Sequence, residues 1–195
     1  MTRRFVILAA AAALLVGAGH AQAQNFFGFP NGRTSFYGGD RGFSPGGVSP
    51  IPRTRVYYPS NYAPGTIVIN TAERRLYLVQ PGGTALRYGI GVGRDGFRWS
   101  GVHHVSAKRE WPDWTPPAEM RRRRPDLPSY MEGGIENPLG ARALYLGSTL
   151  YRIHGSNEPE TIGQAVSSGC FRMTNEDVVD LYDRVSVGTT VVVKN

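Results

Sequence analysis

From residue 66 onward the chain is dominated by short apolar runs, each stopped by glycine, proline or a small polar residue, and this restricts it to a sheet-built fold. Thr66-Ile67-Val68-Ile69-Asn70 is brief and β-branched. Residues 75–79 alternate in character, and Pro81-Gly82-Gly83 turns the chain after them. Residues 85–92 give a third strand candidate and 102–107 a fourth. Residues 141–146 and 149–153 read as a hairpin across Gly147-Ser148, and 189–193 as a closing strand. One segment breaks the pattern. Thr174 stands as an N-cap, Asp177 as its capping-box acid, and Val178, Leu181, Tyr182 and Val185 form a helical stripe. A shorter helix is expected near Pro159. There is no internal repeat. At 195 residues, 41% of them hydrophobic, the chain can pack one core and carry extensions. The expectation is a mainly β domain with one or two short helices.

The first residues address the compartment. Arg3 and Arg4 precede an apolar run at 5–16, and Ala21-Gln22-Ala23 follows as an Ala-x-Ala cleavage pattern. This is the plan of a secretory signal peptide over residues 1–23. The run falls short of the roughly 20 residues of a membrane span. No cysteine follows it to take a lipid, so the expected product is exported and periplasmic, with no span after cleavage. Residues 24–55 are rich in glycine, proline and serine and read as a flexible tether, with Phe26, Phe27, Phe29, Phe36 and Phe43 along it. The folded domain is placed at 56–195. A formal net charge of +7 favours anionic partners, and export excludes nucleic acid as the partner. Residues 111–140, heavy in proline, arginine and glycine, form a long loop; Trp111, Trp114 and Tyr130 favour an ordered lid. The run from Arg121 to Arg124 reads first as a solvated patch, with attraction of substrate carboxylates as the second reading.

The chain has one cysteine. In an oxidising compartment it is a buried apolar residue, an intermolecular link or a working thiol. Its neighbours weigh on the choice. His154-Gly155 ends an apolar strand, and Ser167-Ser168-Gly169-Cys170-Phe171-Arg172 follows after a short interval. A thiol at neutral pH needs a base to become a thiolate, and a histidine within reach can supply it. Gly169 permits a tight turn beside the nucleophile and leaves nearby N–H groups free for an oxyanion. On an extended segment Arg172 shares a face with Cys170, where it can bind a carboxylate or hold the thiolate. Either residue alone is as well explained by the core; together, with these glycines and this arginine, Cys170 and His154 point to a catalytic pair. Arg172, Ser168, Ser167 and Asn157 are the candidate substrate-binding residues around it, with Gly155 and Gly169 in orienting or oxyanion roles.

Other signals are weaker. Gly91-x-Gly93-x-x-Gly96 matches a dinucleotide fingerprint by letter, but the residues after it do not open a helix. His103 and His104 are adjacent on a strand and face opposite sides. No zinc spacing and no Gly-x-Ser-x-Gly elbow occur, so no metal or cofactor is expected.

The constellation from His154 to Arg172 resembles the signature of the L,D-transpeptidase catalytic domain, the YkuD or ErfK/YbiS/YcfS/YnhG family. The resemblance runs from about Thr66 to Val193 and includes Ile90-Gly91-Val92-Gly93, Asn137-Pro138-Leu139-Gly140 and Asn175-Glu176-Asp177. It departs at Ser168, where many members have histidine, and at Trp99-Ser100-Gly101, read as a variant turn with little effect on chemistry. The resemblance implies a β-sandwich or barrel-like domain with a long lid loop. It implies a Cys170 thioester formed on a tetrapeptide stem of peptidoglycan, with loss of the terminal D-alanine, and attack by the diamino-acid amine of a second stem to give a 3→3 cross-link. His154 would be the base, its other ring nitrogen bonded to a backbone carbonyl for which Gly155 is a candidate. Carbapenems would acylate Cys170. Water as acceptor would make the site an L,D-carboxypeptidase; an envelope protein as acceptor would make it an anchoring enzyme. Two rivals stand beside this. Wall endopeptidases of the NlpC/P60 and CHAP type place cysteine before histidine, and sortases place histidine much farther upstream. An inactive wall-binding module of the same fold is the non-enzymatic alternative.

Overall fold

In the computed structural model the described residues are 49–195; the expected signal peptide at 1–23 and most of the expected tether lie outside them. The elements run β1 (Thr54–Tyr57), β2 (Ile67–Asn70), β3 (Arg75–Gln80), β4 (Thr84–Gly89), β5 (Val92–Gly93), β6 (Gly101–Glu110), α1 (Ala118–Arg123), β7 (Arg142–Leu146), β8 (Arg152–His154), β9 (Ala165–Ser167), β10 (Phe171–Arg172), α2 (Asn175–Arg184) and β11 (Thr190–Lys194). Nine strands form one curled sheet in the order β1-β4-β3-β2-β11-β6-β7-β8-β10, and β5 pairs with β9 separately.

The β-branched run at the start of the domain becomes a strand buried on both faces. Ile67, Val68 and Ile69 are all fully buried, with β3 antiparallel on one side and β11 parallel on the other. The curl comes from β6. Its first half, Gly101 to His104, pairs with β11, and its second half pairs with β7 after a register shift between Val105 and Ala107. The extra residue, Ser106, donates from Oγ to the Gly147 carbonyl at 2.8 Å. A bulge of this kind bends a strand and increases its twist. Here it falls where β6 passes from pairing with β11 to pairing with β7.

The hairpin of β7 and β8 pairs Tyr145 with Arg152 and Ala143 with His154. Its turn is longer than the expected Gly147-Ser148: the Thr149 amide donates to Leu146 O at 3.2 Å and Thr149 Oγ1 to the same carbonyl at 2.6 Å, so β8 starts only at Arg152. The third expected strand also divides. β4 ends at Gly89, and the chain leaves the large sheet to form β5. The helix expected near Pro159 is a single 3-10 turn, Pro159–Thr161.

α2 has the expected cap. Thr174 Oγ1 accepts from the Asp177 amide at 3.2 Å. The reciprocal half of a capping box is absent: the Asp177 carboxylate turns to Arg53, 3.5 Å away, and Arg53 also reaches Asp180 at 3.2 Å. Burial raises the Asp177 carboxyl to about 6. At the other end, Lys108 Nζ donates to the Tyr182 and Val185 carbonyls, each at 2.6 Å, while lying 4.0 Å over the Tyr182 ring. One lysine thereby satisfies terminal carbonyls that the helix itself leaves open. Arg53 and strand β1 precede or straddle the boundary expected at residue 56. Ile51 also packs upstream of it, against Gly89, where an added Cβ would meet Ile51 at 2.6 Å.

Residues 111–140 are ordered by backbone and side-chain ties. Trp114 and Met131 exchange two backbone hydrogen bonds of 2.8 Å, and α1 fills part of the loop between them. Asn137, 1% exposed, donates from Nδ2 to the Pro112, Met131 and Glu132 carbonyls at 3.1, 3.3 and 2.9 Å and accepts from the Leu139 amide at 2.9 Å. Asn137→Ala strands these buried groups. It is expected to lower the unfolding free energy by about 2–3 kcal/mol, read as a lower urea midpoint at unchanged slope.

Candidate active site

β8 and β10 run parallel, with Phe171 beside Ile153 and Arg172 beside His154. Ile153 and Phe171 point into the core, 0% and 1% exposed. Side chains alternate along a strand, so Arg152, His154 and Arg172 lie on the other face. Cys170 immediately precedes β10 and comes to the level of Arg152. The seam therefore gathers His154, Cys170 and Arg172 from the sequence-predicted set, and adds Arg152.

His154 is 4% exposed. Its Nδ1 lies 2.6 Å from the Gly155 carbonyl. With the proton on Nδ1 as donor, Nε2 is left as a free base. Burial pushes the imidazole down to about 3, and the Arg172 and Arg152 charges push the same way, against the Gly155 bond. Cys170 is half-buried and its thiol donates to the Leu150 carbonyl at 3.8 Å. Burial pushes this thiol up, while Arg152 and Arg172 pull it down. Burial thus favours the neutral form of both side chains.

The turn before the cysteine is built by Ser167. Its Oγ donates to the Cys170 carbonyl at 2.6 Å and accepts from the Gly169 amide at 3.1 Å. Ser167 is 4% exposed, so it shapes the turn rather than offering a surface to a substrate. Gly169 has φ +109°, and a Cβ there would fall 2.5 Å from Tyr151 Cε1. Since its amide is engaged by Ser167, the donor left for a developing oxyanion is the Cys170 amide, which has no hydrogen bond among the described residues. Ser168 is half-buried. Asn157 is exposed and donates to the Glu136 carbonyl at 3.0 Å, tying the site loop to the end of the lid. Arg172 Nη1 is 2.7 Å from Glu158 and 3.5 Å from Thr161 Oγ1. Gly155 is buried under the Asn175 side chain, whose Oδ1 accepts from the Ala141 amide at 2.8 Å.

Three contributors were not read from the sequence as part of the site. Arg152 carried a signal: it stands two residues before His154 on the same strand, hence on the same face. Trp99 carried none, since it lies far off in sequence in a turn read as inconsequential. Its Nε1 donates to the Gly169 carbonyl at 2.8 Å, and its ring stacks on Tyr151 with centroids 4.5 Å apart and 12° between planes. Tyr151 is the third, and its ring also backs Gly169. The lid reaches this region through Phe97. Arg123 of α1 lies 5.2 Å over that ring and Arg94 lies 4.6 Å over it. The Arg121–Arg124 run is divided: Arg123 pairs with Glu119 at 3.2 Å, Arg124 with Asp126 at 2.6 Å, and Arg121 and Arg122 are exposed. The Gly91-x-Gly93-x-x-Gly96 string spans β5 and a turn, with no helix after it. His103 packs edge-on to Trp99 at 5.1 Å, and His104 is exposed on the opposite side of β6.

The family description YkuD, L,D-transpeptidase catalytic domain, matches residues 64–193. The Escherichia coli protein named Probable L,D-transpeptidase ErfK/SrfK is 42% identical over 134 residues, which is 64% of this chain and 42% of that protein. Probable L,D-transpeptidase YcfS of the same organism is 40% identical over 139 residues, 66% of this chain and 43% of its own. The match thus spans about two fifths of these curated relatives, 42% and 43%. Among solved structures, a Brucella melitensis protein named as a probable carnitine operon oxidoreductase is 50% identical, with 75% of this chain and 96% of that one covered and a TM-score of 0.51. The catalytic domain of the E. faecium L,D-transpeptidase shares the fold at 20% identity, covering 69% of this chain and 100% of that one with a TM-score of 0.53.

The buried imidazole sets a pH dependence. His154 is expected to remain neutral from pH 8 to below pH 5, seen as unmoving ring-proton shifts in NMR. The unfolded chain takes up that proton near pH 6.5 and the folded one near 3, so the stability it contributes is complete above 6.5 and is lost as the pH falls toward 3. Urea midpoints of His154→Gln should fall less than those of the parent across that window.

Proposed function

The chain belongs to the YkuD family of L,D-transpeptidase catalytic domains, and on that footing we propose that it is an exported cysteine acyltransferase that forms 3→3 cross-links between peptidoglycan stems. The observation that carries the reading is the parallel seam of β8 and β10. It holds a thiol and an imidazole on one face, and the Gly155 carbonyl fixes the imidazole with Nε2 free. A thiol and a fixed base within one small site are what nucleophilic acyl transfer requires.

The steps follow from these groups. Nε2 of His154 takes the Cys170 proton as sulfur forms a bond to the stem carbonyl carbon. The carbonyl π electrons move to oxygen, and the Cys170 amide donates to that oxyanion. Collapse expels the D-alanine nitrogen, which receives the proton held by His154. A thioester on Cys170 remains. The side-chain amine of a second stem attacks it, giving a proton to His154, and the sulfur leaves as thiolate to recover that proton. Neither redox partner nor metal enters this balance. The buried setting makes the first proton transfer uphill in the free enzyme, so binding of the stem, which displaces water, coincides with activation. Ser168 and Asn157 lie at the edge of the site as contacts for the stem, and the basic Arg94, Arg121 and Arg122 draw its carboxylates at long range.

The exported, periplasmic location is supported by the Arg3–Arg4 start, the apolar run and Ala21-Gln22-Ala23. No helix among the described residues is long and apolar enough to cross a membrane.

The test is mass spectrometry of products from purified disaccharide-tetrapeptide incubated with the protein and with Cys170→Ala. A cross-linked dimer that has lost one D-alanine, absent from the variant, is the expected result. Tripeptide alone would reassign the protein as an L,D-carboxypeptidase or as an enzyme awaiting a protein acceptor. No product, with Cys170 unlabelled by a carbapenem, would overturn the enzyme and leave a wall-binding module. Cys170→Ala is expected to lower turnover by at least about 10³-fold with folding intact, since no other thiol exists in the chain.

A further inference from the structure

Two arginines flank Cys170, and the fold uses them differently. Arg172 is committed to a carboxylate. Its Nη1 sits 2.7 Å from Glu158 Oε2, and Thr161 Oγ1 adds a contact at 3.5 Å. Much of its charge is therefore balanced before any substrate arrives. Arg152 has no carboxylate partner among the described residues. Its Nη1 donates to the Leu150 carbonyl at 3.2 Å, its guanidinium lies 4.9 Å over the Tyr145 ring, and its Nε is buried without a hydrogen-bond partner. The same Leu150 carbonyl receives the Cys170 thiol at 3.8 Å. Guanidinium and sulfur thus converge on one acceptor, and the strand register brings Cys170 level with Arg152. A buried donor with nothing to bond is costly unless a partner arrives at another stage.

We propose that Arg152 is the fixed counter-charge of the Cys170 thiolate, its unpartnered Nε–H being the donor that the sulfur gains when it loses its proton. The assignment rests on Cys170 being the nucleophile. Only the S–H bond breaks in this step; the proton goes to His154 Nε2 or to water, and the electron pair stays on sulfur. The thiolate then no longer donates to Leu150 and accepts from Arg152. The charged and titratable groups around the sulfur are Arg152 and His154 on β8 and Arg172 on β10, with Glu158 on Arg172. Of these, His154 resists protonation by burial and Arg172 is paired, which leaves Arg152 as the free positive charge. Both guanidinium groups oppose the burial of the thiol, Arg152 before Arg172. Burial thus disfavours an imidazolium–thiolate pair here; a guanidinium makes the thiolate attainable instead.

The chain's single cysteine makes the test unambiguous. The rate of alkylation by iodoacetamide, followed by mass spectrometry from pH 5 to 10, reports the thiolate fraction without any peptidoglycan substrate. In Arg152→Met the midpoint should rise by about one pH unit, so alkylation at pH 7 slows roughly tenfold. Arg152→Lys should stay within about threefold of the parent, and Arg172→Met should change less than Arg152→Met. Arg152→Gln, which keeps a donor for Leu150 but no charge, gives the same readout if the methionine variant fails to fold. An unchanged midpoint in the folded uncharged variants, or a larger shift in Arg172→Met, would overturn the role of Arg152 while leaving Cys170 as nucleophile. A parent thiol that reacts with the rate and midpoint of free cysteine, and yields no cross-linked product, would instead overturn the nucleophile itself.

Discussion

Ile153 and Phe171 lie side by side in parallel strands, buried in the same core as Leu144, Met173 and Leu181. Burying side chains of this size stabilises the seam by roughly 1.5–3 kcal/mol each. That packing also decides the site. A strand cannot bury Ile153 without turning Arg152 and His154 the other way, nor bury Phe171 without presenting Cys170 and Arg172 beside them. A slip of one residue in either strand would put the imidazole in the core and an aliphatic side chain at the site. The placing of Cys170 and His154 on one face is therefore enforced by hydrophobic registry rather than by a bond between the two side chains, since the thiol bonds Leu150 instead of the imidazole.

Around the seam, uncharged groups fix what the strands leave loose. Ser167 ties the Gly169 amide and the Cys170 carbonyl, and Trp99 holds the Gly169 carbonyl. The turn is thus held at consecutive peptide groups, and only the Cys170 amide is left open. Gly169 is obligatory here because Tyr151 occupies the space of a side chain and the backbone is in the left-handed region. The lid is held by Asn137 and joined to the site loop by Asn157.

The electrostatics point to a site held neutral until it is used. Burial works against charge on both His154 and Cys170. A thiol held in this form is protected from stray reaction, because it is less reactive than the thiolate. A thiolate there would have to be stabilised by something already charged; Arg172 is paired with Glu158, and Arg152 is the neighbouring guanidinium without a carboxylate partner among the described residues.

Much of this was legible in the chain. Short β-branched and alternating runs predicted the strands, since period-2 burial is local. Thr174 and the stripe through Leu181 located α2, because capping and amphipathicity are local too. Cys170 and His154 stand out as candidates because each sits beside a glycine in a recognisable string. What the sequence could not supply were distances between segments. The bulge at Ser106 that curls the sheet, Arg53 reaching back to α2, Trp99 bonding Gly169 and Glu158 neutralising Arg172 all join residues whose proximity exists only after packing. The capping-box acid was misread for the same reason: Asp177 had a second suitor, Arg53, that no local pattern announces. Sequence alone determined which residue types line each strand face, because alternation is a property of the backbone. Tertiary structure decided that, among the described residues, Arg172 meets a carboxylate and Arg152 does not, because that depends on which acid the fold brings within reach.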